Sequence, residues 1–354
     1  MRAVVQHGLE PDQVSLTTLD DPQPGEDDVI IEVLAAGVCG SDLHQWHGHP
    51  SWIVEPPVVL GHEFCGRVVA AGDRVAGFQP GDRVVSETAA HVDMHSPLAR
   101  VGSYNIDPER RGFGTRVNGG MAERARVPAR CLHHLPDGVP TVIGGIVEPV
   151  AVAYNAVVVR SAIKPGDIVV VLGPGPIGLL CCWLAHLAGA GGILVAGLPS
   201  DESRMGHARA LGATFTHTGD PEALPDIARD LSDGLGAHTV IDAAGVSASF
   251  ITAMEAVRPG GSITKVGWGP QPLNASLDPI VAKAITVNGC FSHTWPTWEA
   301  VVGLVGRRFD EIMPMIGWRG PLEHWVDGFE AMESGTAVKS VLLPSGVAEA
   351  DSTS

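Results

Sequence analysis

The 354-residue sequence predicts a two-domain α/β protein, one part β-rich and the other a doubly wound parallel sheet. Three observations lead there. The first ~150 residues, about one domain's worth, read mostly as β-strands and loops. From Ile168 onward, apolar β-runs alternate with helical stretches, which implies βαβ units. The hexapeptide GPGPIG, residues 173–178, stands between an apolar strand and an apolar helix.

In the first part, DVIIEVLAAGV (28–38) and HEFCGRVVAAG (62–72) are rich in valine, isoleucine and glycine, and read as strands. FQPGDRVVSE (78–87) is a turn followed by a strand. Residues 89–120 are polar and glycine-rich with weak periodicity, and read as a long loop or lobe. The texture changes near Glu148. The strands expected beyond it are IVVVL (168–172), ILVAG (193–197), TFTHT (214–218), HTVIDAAG (238–245), SITKVGW (262–268) and ITVNGCF (285–291). Helices are expected between them, over LLCCWLAHLAG, ESRMGHARALG, PEALPDIARDL and SASFITAMEAV. The last part mixes helix and strand and ends in AVKSVLLP. Ile168 to Ala185 carries no charge, but its central glycines and prolines fit a strand, turn and helix better than a membrane span.

GPGPIG matches the glycine pattern of a dinucleotide-binding turn, and the strand before it and helix after it are the context that pattern requires. Gly173 permits the tight turn, Gly175 lets a pyrophosphate approach the backbone, and Gly178 lets helix and strand pack closely. Pro176 and Ile177 complete the turn, where free N–H groups at the helix start face the phosphates. A plain strand–helix turn is the alternative reading. An acidic residue about 20 positions on ordinarily holds the ribose 2′-hydroxyl of NAD, but here that slot is Gly197. With the carboxylate gone and Ser200 and Arg204 near, the choice tilts toward NADP. Asp201 and Glu202 pull the other way, by repelling a 2′-phosphate or replacing the missing acid.

The stretch GVCGSDLHQWHGHP (37–50) and the motif GHEFCG (61–66) supply a thiol, an imidazole and a carboxylate. Cys39, His62 and Glu63 would form a mixed S/N/O set suited to zinc, although their separation in sequence cannot by itself identify them. GVCGSDLH, GHEFCGRV, GDRV and GPGPIG, in this order, resemble the zinc-dependent medium-chain dehydrogenase/reductase superfamily, nearest to its polyol (sorbitol-type) and threonine dehydrogenases. The resemblance covers essentially the whole chain. It implies a GroES-like catalytic domain from residues 1–152 and 294–354, and a Rossmann domain from 153–293. It also implies that Cys39 and His62 bind a catalytic zinc, with Glu63 a resting-state ligand and Glu148, in EPVAVAYNAV, a fourth ligand, direct or through water. Ser41 would touch the substrate hydroxyl, and His44 would pass its proton to solvent. Each has a plainer reading: a buried thiol at Cys39, a core histidine at His62, structural carboxylates at Glu63 and Glu148, a turn cap at Ser41 and a surface imidazole at His44. Cys65 reads as core.

The resemblance breaks in the lobe. Where family members carry four cysteines for a structural zinc, this chain has His91, Met94, Pro97 and Asp107. Methionine and proline cannot build a thiolate site, so one zinc per subunit is expected, with His91, His95 and Asp107 as a residual alternative. Trp295 and Trp298 read as core or subunit contact, His293 as a residue of the substrate side, and Trp46 and Trp52 as pocket candidates. The resemblance implies a homodimer or homotetramer.

The expected activity is reversible oxidation of a secondary alcohol (a polyol, cyclitol, sugar or amino-alcohol) to a ketone with NAD(P). A zinc-free NADPH reductase of activated double bonds or quinones, and a non-catalytic nucleotide-binding protein, are the alternatives. The net charge of −17 argues against nucleic-acid partners, and no basic patch suggests a membrane surface. Six scattered cysteines do not form a disulfide pattern, and no secretory leader is evident, so a cytoplasmic location is expected.

Overall fold

The computed structural model describes residues 1–269 and 271–345. The chain divides into two compact units, Met1–Ala151 with the segment from Ser292 onward, and Val152–Phe291. Residues 346–354, assigned from sequence to the first domain, lie outside the described residues.

In the second unit, six parallel strands form one sheet. Its spatial order begins at Phe215–His217, then Gly192–Ala196, Ile168–Leu172, Ala237–Asp242, Val257–Lys265 and Thr286–Gly289. Numbered along the chain this is 3-2-1-4-5-6, the doubly wound order of a dinucleotide-binding sheet. Ile168–Leu172 reads as an unbroken apolar run because four of its five residues are buried between covering helices. The uncharged Ile168–Ala185 stretch is a strand, a turn and the helix Pro176–Leu187. No helix among the described residues is long and apolar enough to cross a membrane.

The first unit is built on a seven-stranded sheet. Asp28–Gly37 pairs antiparallel with Glu63–Ala71 on one side, and with Arg124–Pro128 and Lys339–Leu343 at its two ends. This unit's core gathers Val29, Ile31, Val33, Phe64, Phe113, Leu132, Trp325 and Phe329. Trp46, a pocket candidate from sequence, packs edge-on against Trp325 and Phe329 at 5.8 and 5.7 Å, so it belongs to this core.

The lobe at 89–120 has a short α-helix, Pro97–Arg100, capped by Ser96, followed by a 3-10 turn at Tyr104–Ile106. Asp107 is engaged with the Ser96 hydroxyl and with the Glu109 N–H at 2.9 Å. The Tyr104 hydroxyl donates to buried Glu87 Oε2 at 2.6 Å and accepts from the Trp295 N–H at 2.5 Å. Arg130 reaches the carbonyls of Ala89 and Ala90 at 2.6 and 3.0 Å. These bonds tie the lobe to the sheet and to the helix Trp295–Ile312.

Candidate metal and cofactor sites

Strand pairing brings the distant motifs together. Gly37 lies directly opposite Glu63 in the antiparallel ladder, so Cys39, two residues past the end of one strand, meets His62, one residue before the start of the other. Glycine is required at that crossing: a Cβ on Gly37 would stand 2.4 Å from Glu63 Oε2 and 2.3 Å from the Gly145 carbonyl oxygen. Gly61, at φ +89°, makes the turn into His62.

One ligand atom each from Cys39, His62 and Glu63 lie within 4.8 Å of one another. This is the one such cluster of three or more metal-binding side chains among the described residues. Glu148 is not part of this close set, but its charge acts on both His62 and Glu63. Carboxylates gather around His62. Burial opposes a proton on His62, yet the Asp42 carboxylate, with Cys39 and Glu148, outweighs it and raises the His62 pKa to about 10. A divalent cation answers the same field, and the soft sulfur with nitrogen and oxygen donors suits zinc. The residues therefore fit the metal.

Three residues here escaped the sequence reading. Asp42 is fully buried; its Oδ2 accepts from the Cys39 N–H at 2.8 Å and its Oδ1 lies 3.8 Å from His62 Nδ1. At that distance it acts on the imidazole through its charge and makes no hydrogen bond to it. The spacing Cys-x-x-Asp at a helix start was the available signal. Lys339, also buried, places Nζ 2.5 Å from Glu63 Oε2 and donates to the Val38 carbonyl at 2.6 Å. Burial resists its charge, but Glu63 and Cys39 hold its pKa above the ordinary lysine value. Lys339 comes from the last strand, and its neighbours in sequence give no hint of this role. Ser51 lies 2.9 Å from His44 Nδ1.

Ser41 and His44 sit three apart on the helix Gly40–Trp46, on one face. Ser41 is buried, and its hydroxyl has no hydrogen-bond partner among the described residues; His44 is exposed. His47 pairs with Glu333 at 2.7 Å, away from the ligand set. Trp52 stands edge-on to His62 at 6.5 Å. Cys65 is buried with its thiol at 3.3 Å from the Thr141 carbonyl, and burial pushes its pKa up to about 12. His293 is buried against Glu148, with Nε2 2.9 Å from Oε1.

In the second unit, Gly173 has φ +93°, and a Cβ on Gly178 would lie 1.8 Å from its carbonyl oxygen. A Cβ on Gly175 would meet nothing within 4 Å, so the backbone there is open to a phosphate. Gly197 follows the second strand of this sheet. A Cβ there would stand 2.8 Å from the Pro174 ring and 2.9 Å from Asp201 Oδ2, which accepts from the Leu198 N–H at 3.0 Å, so Asp201 lies beside the position where an acid at 197 would start. Arg204 pairs with Asp201 Oδ1 at 3.0 Å, and Ser200 is exposed.

Two family models match the chain: the alcohol dehydrogenase GroES-like domain over residues 25–137, and the zinc-binding dehydrogenase domain over 176–307. A sorbitol dehydrogenase of Halalkalibacterium halodurans is 33% identical, covering 97% of this chain and 99% of that protein. A D-arabitol-phosphate dehydrogenase of Enterococcus avium is 30% identical, covering 97% of each. A protein of the zinc-binding dehydrogenase type from Sinorhizobium meliloti 1021, solved bound to NADP, superposes with a TM-score of 0.87 at 30% identity, covering 97% of this chain and 99% of that one. With a GroES-like domain and a doubly wound sheet in one chain, and with relatives matched nearly end to end, this protein belongs to the polyol branch of the zinc-dependent medium-chain dehydrogenase/reductase family, oxidoreductases that act on CH–OH groups.

Proposed function

We propose that this chain oxidises a secondary alcohol, of the polyol or sugar-alcohol class, to a ketone, using one zinc per subunit held by Cys39, His62 and Glu63. The mutual approach of those three donors to within 4.8 Å carries the reading. Glu148, whose charge reaches His62 and Glu63, would complete the set, directly or through a water. When bound, zinc supplies a Lewis acid and the nicotinamide a hydride acceptor. The rest is done by side chains. The buried Ser41 hydroxyl accepts a hydrogen bond from the substrate hydroxyl, and its own proton passes toward His44 on the same helix face. His44, exposed and hydrogen-bonded to Ser51, delivers that proton to solvent. Trp52 walls the site beside His62.

The experiment is a panel of polyols, sugar alcohols and simple secondary alcohols assayed with both cofactors, alongside metal analysis. One zinc per chain and activity lost on chelation support the reading. Full activity in metal-free protein would favour the zinc-free reductase.

For the cofactor, Gly197, Ser200 and Arg204 support NADP, as does the Sinorhizobium meliloti relative bound to it. Asp201 opposes it by placing a carboxylate beside Gly197 and neutralising Arg204. Asp201→Ala is therefore expected to raise the NADP-to-NAD affinity ratio about tenfold, the equivalent of about 1.4 kcal/mol. Fluorescence titration with each dinucleotide measures it; an unchanged ratio would remove Asp201 from the selector.

Among the described residues the strand Thr286–Gly289 ends the second unit's sheet with an unpaired edge, and Val287 and Val281 are 43% and 82% exposed. An open edge of that kind supports a homo-oligomer. All six cysteines are unpaired, which supports a reducing compartment, the cytoplasm.

A further inference from the structure

We propose that His293 is a positioning residue that fixes the Glu148 carboxylate toward the metal, an inference that rests on reading Cys39, His62, Glu63 and Glu148 as the metal site. The His293 side chain is fully buried, and both ring nitrogens are engaged. Trp298 Nε1, which can only donate, lies 2.6 Å from His293 Nδ1. Nδ1 must therefore be the bare, accepting nitrogen. The ring hydrogen then sits on Nε2, which donates to Glu148 Oε1 at 2.9 Å. Trp298 thus sets the tautomer, and the tautomer sets the carboxylate.

The arrangement is rigid from behind. Trp298 is 1% exposed, and its ring stacks on His133 at 5.3 Å with only 11° between the planes. His133 is in turn bonded to Glu87 and Glu299, at 3.3 and 2.6 Å. His293 and Trp298 flank the start of the helix Trp295–Ile312, while Glu148 lies in the first turn of the helix Val147–Tyr154. The contact therefore joins two elements far apart in sequence at the metal site. A neutral imidazole donor has a specific use here. It satisfies one carboxylate oxygen without cancelling the charge, so Glu148 keeps its full negative charge for the cation or its water. A lysine or arginine in the same place would spend that charge on an ion pair.

The test measures zinc affinity by competition with a chromophoric chelator, and the visible spectrum of the cobalt-substituted protein. His293→Ala is expected to weaken zinc binding by about tenfold or more, within the range seen when residues behind metal ligands are removed. It should also change the cobalt spectrum. His293→Gln carries a donor and an acceptor at similar spacing and should recover most of the affinity. The Glu148→Ala/His293→Ala double variant should bind zinc no more weakly than Glu148→Ala alone, because His293 acts through Glu148. Zinc affinity within twofold of the parent and an unchanged cobalt spectrum in His293→Ala would overturn the proposal, provided Cys39→Ser loses its zinc. If Cys39→Ser keeps its zinc, the metal site itself has been misread and both inferences fall. Should His293→Ala not fold, Trp298→Phe decides, since it keeps the ring and removes only the N–H. A weakened zinc affinity in it supports the proposal, and an unchanged one overturns it.

Discussion

His62→Ala is expected to bind no zinc and to lose turnover by at least about three orders of magnitude, the equivalent of about 4 kcal/mol of barrier. It should bind NAD(P) as the parent does, because the glycine-rich turn lies in a different unit of the chain. Metal analysis, steady-state rates and dinucleotide titration make the three measurements. Turnover within tenfold of the parent would remove His62 from the metal site. The same variant separates the electrostatics of the metal-free protein. There, His62 has a folded pKa of about 10 against 6.5 for the free side chain. A raised pKa adds stability that is complete below pH 6.5 and disappears as pH rises toward 10. Metal-free parent protein should therefore lose stability across that window. His62→Ala should lack this slope, and so should the zinc-loaded parent, whose His62 is a neutral ligand. Urea unfolding at pH 7 and pH 9.5 reads it.

The second large effect falls on stability. Lys339 and Glu63 are both nearly inaccessible, at 2% and 1% exposure, and face each other at 2.5 Å. Lys339→Met removes the cation and leaves the Glu63 carboxylate and the Val38 carbonyl facing a thioether. In metal-free protein this should cost about 3 kcal/mol or more, the usual result of stranding one member of a buried pair. In the zinc-loaded form the metal takes over as counter-charge to Glu63, and the loss should be markedly smaller. Denaturant unfolding with and without zinc tests this. Equal losses in the two forms would mean that Glu63 does not reach the metal.

The sequence showed the second unit's sheet almost strand by strand, because buried parallel strands leave unbroken apolar runs such as IVVVL between glycine and helix signals. Boundaries moved slightly: the strand read from Ser262 begins at Val257, where the pairing with Ala237–Asp242 carries a bulge. In the first unit, Cys39, His62 and Glu63 carried recognisable neighbours, while their supports did not. Asp42 was hidden inside a motif already given other roles. Lys339 and His293 lie about 300 and 145 residues from the groups they touch, Val38 and Glu148, and only folding sets them there. Trp298 read as core or subunit contact, and it is buried; its indole N–H nonetheless sets the state of a neighbouring ring.

The ladder in which Gly37 faces Glu63 also limits how this protein can change. The ladder has irregularities at Ile30/Ile31 and Val33/Ala35 but runs in regular register over Ala35–Gly37, so one residue inserted or deleted in that last stretch would present the opposite face and carry Cys39 off its mark. The short run from Ala35 to Cys39 is therefore the segment where length should stay constant as the chain diverges.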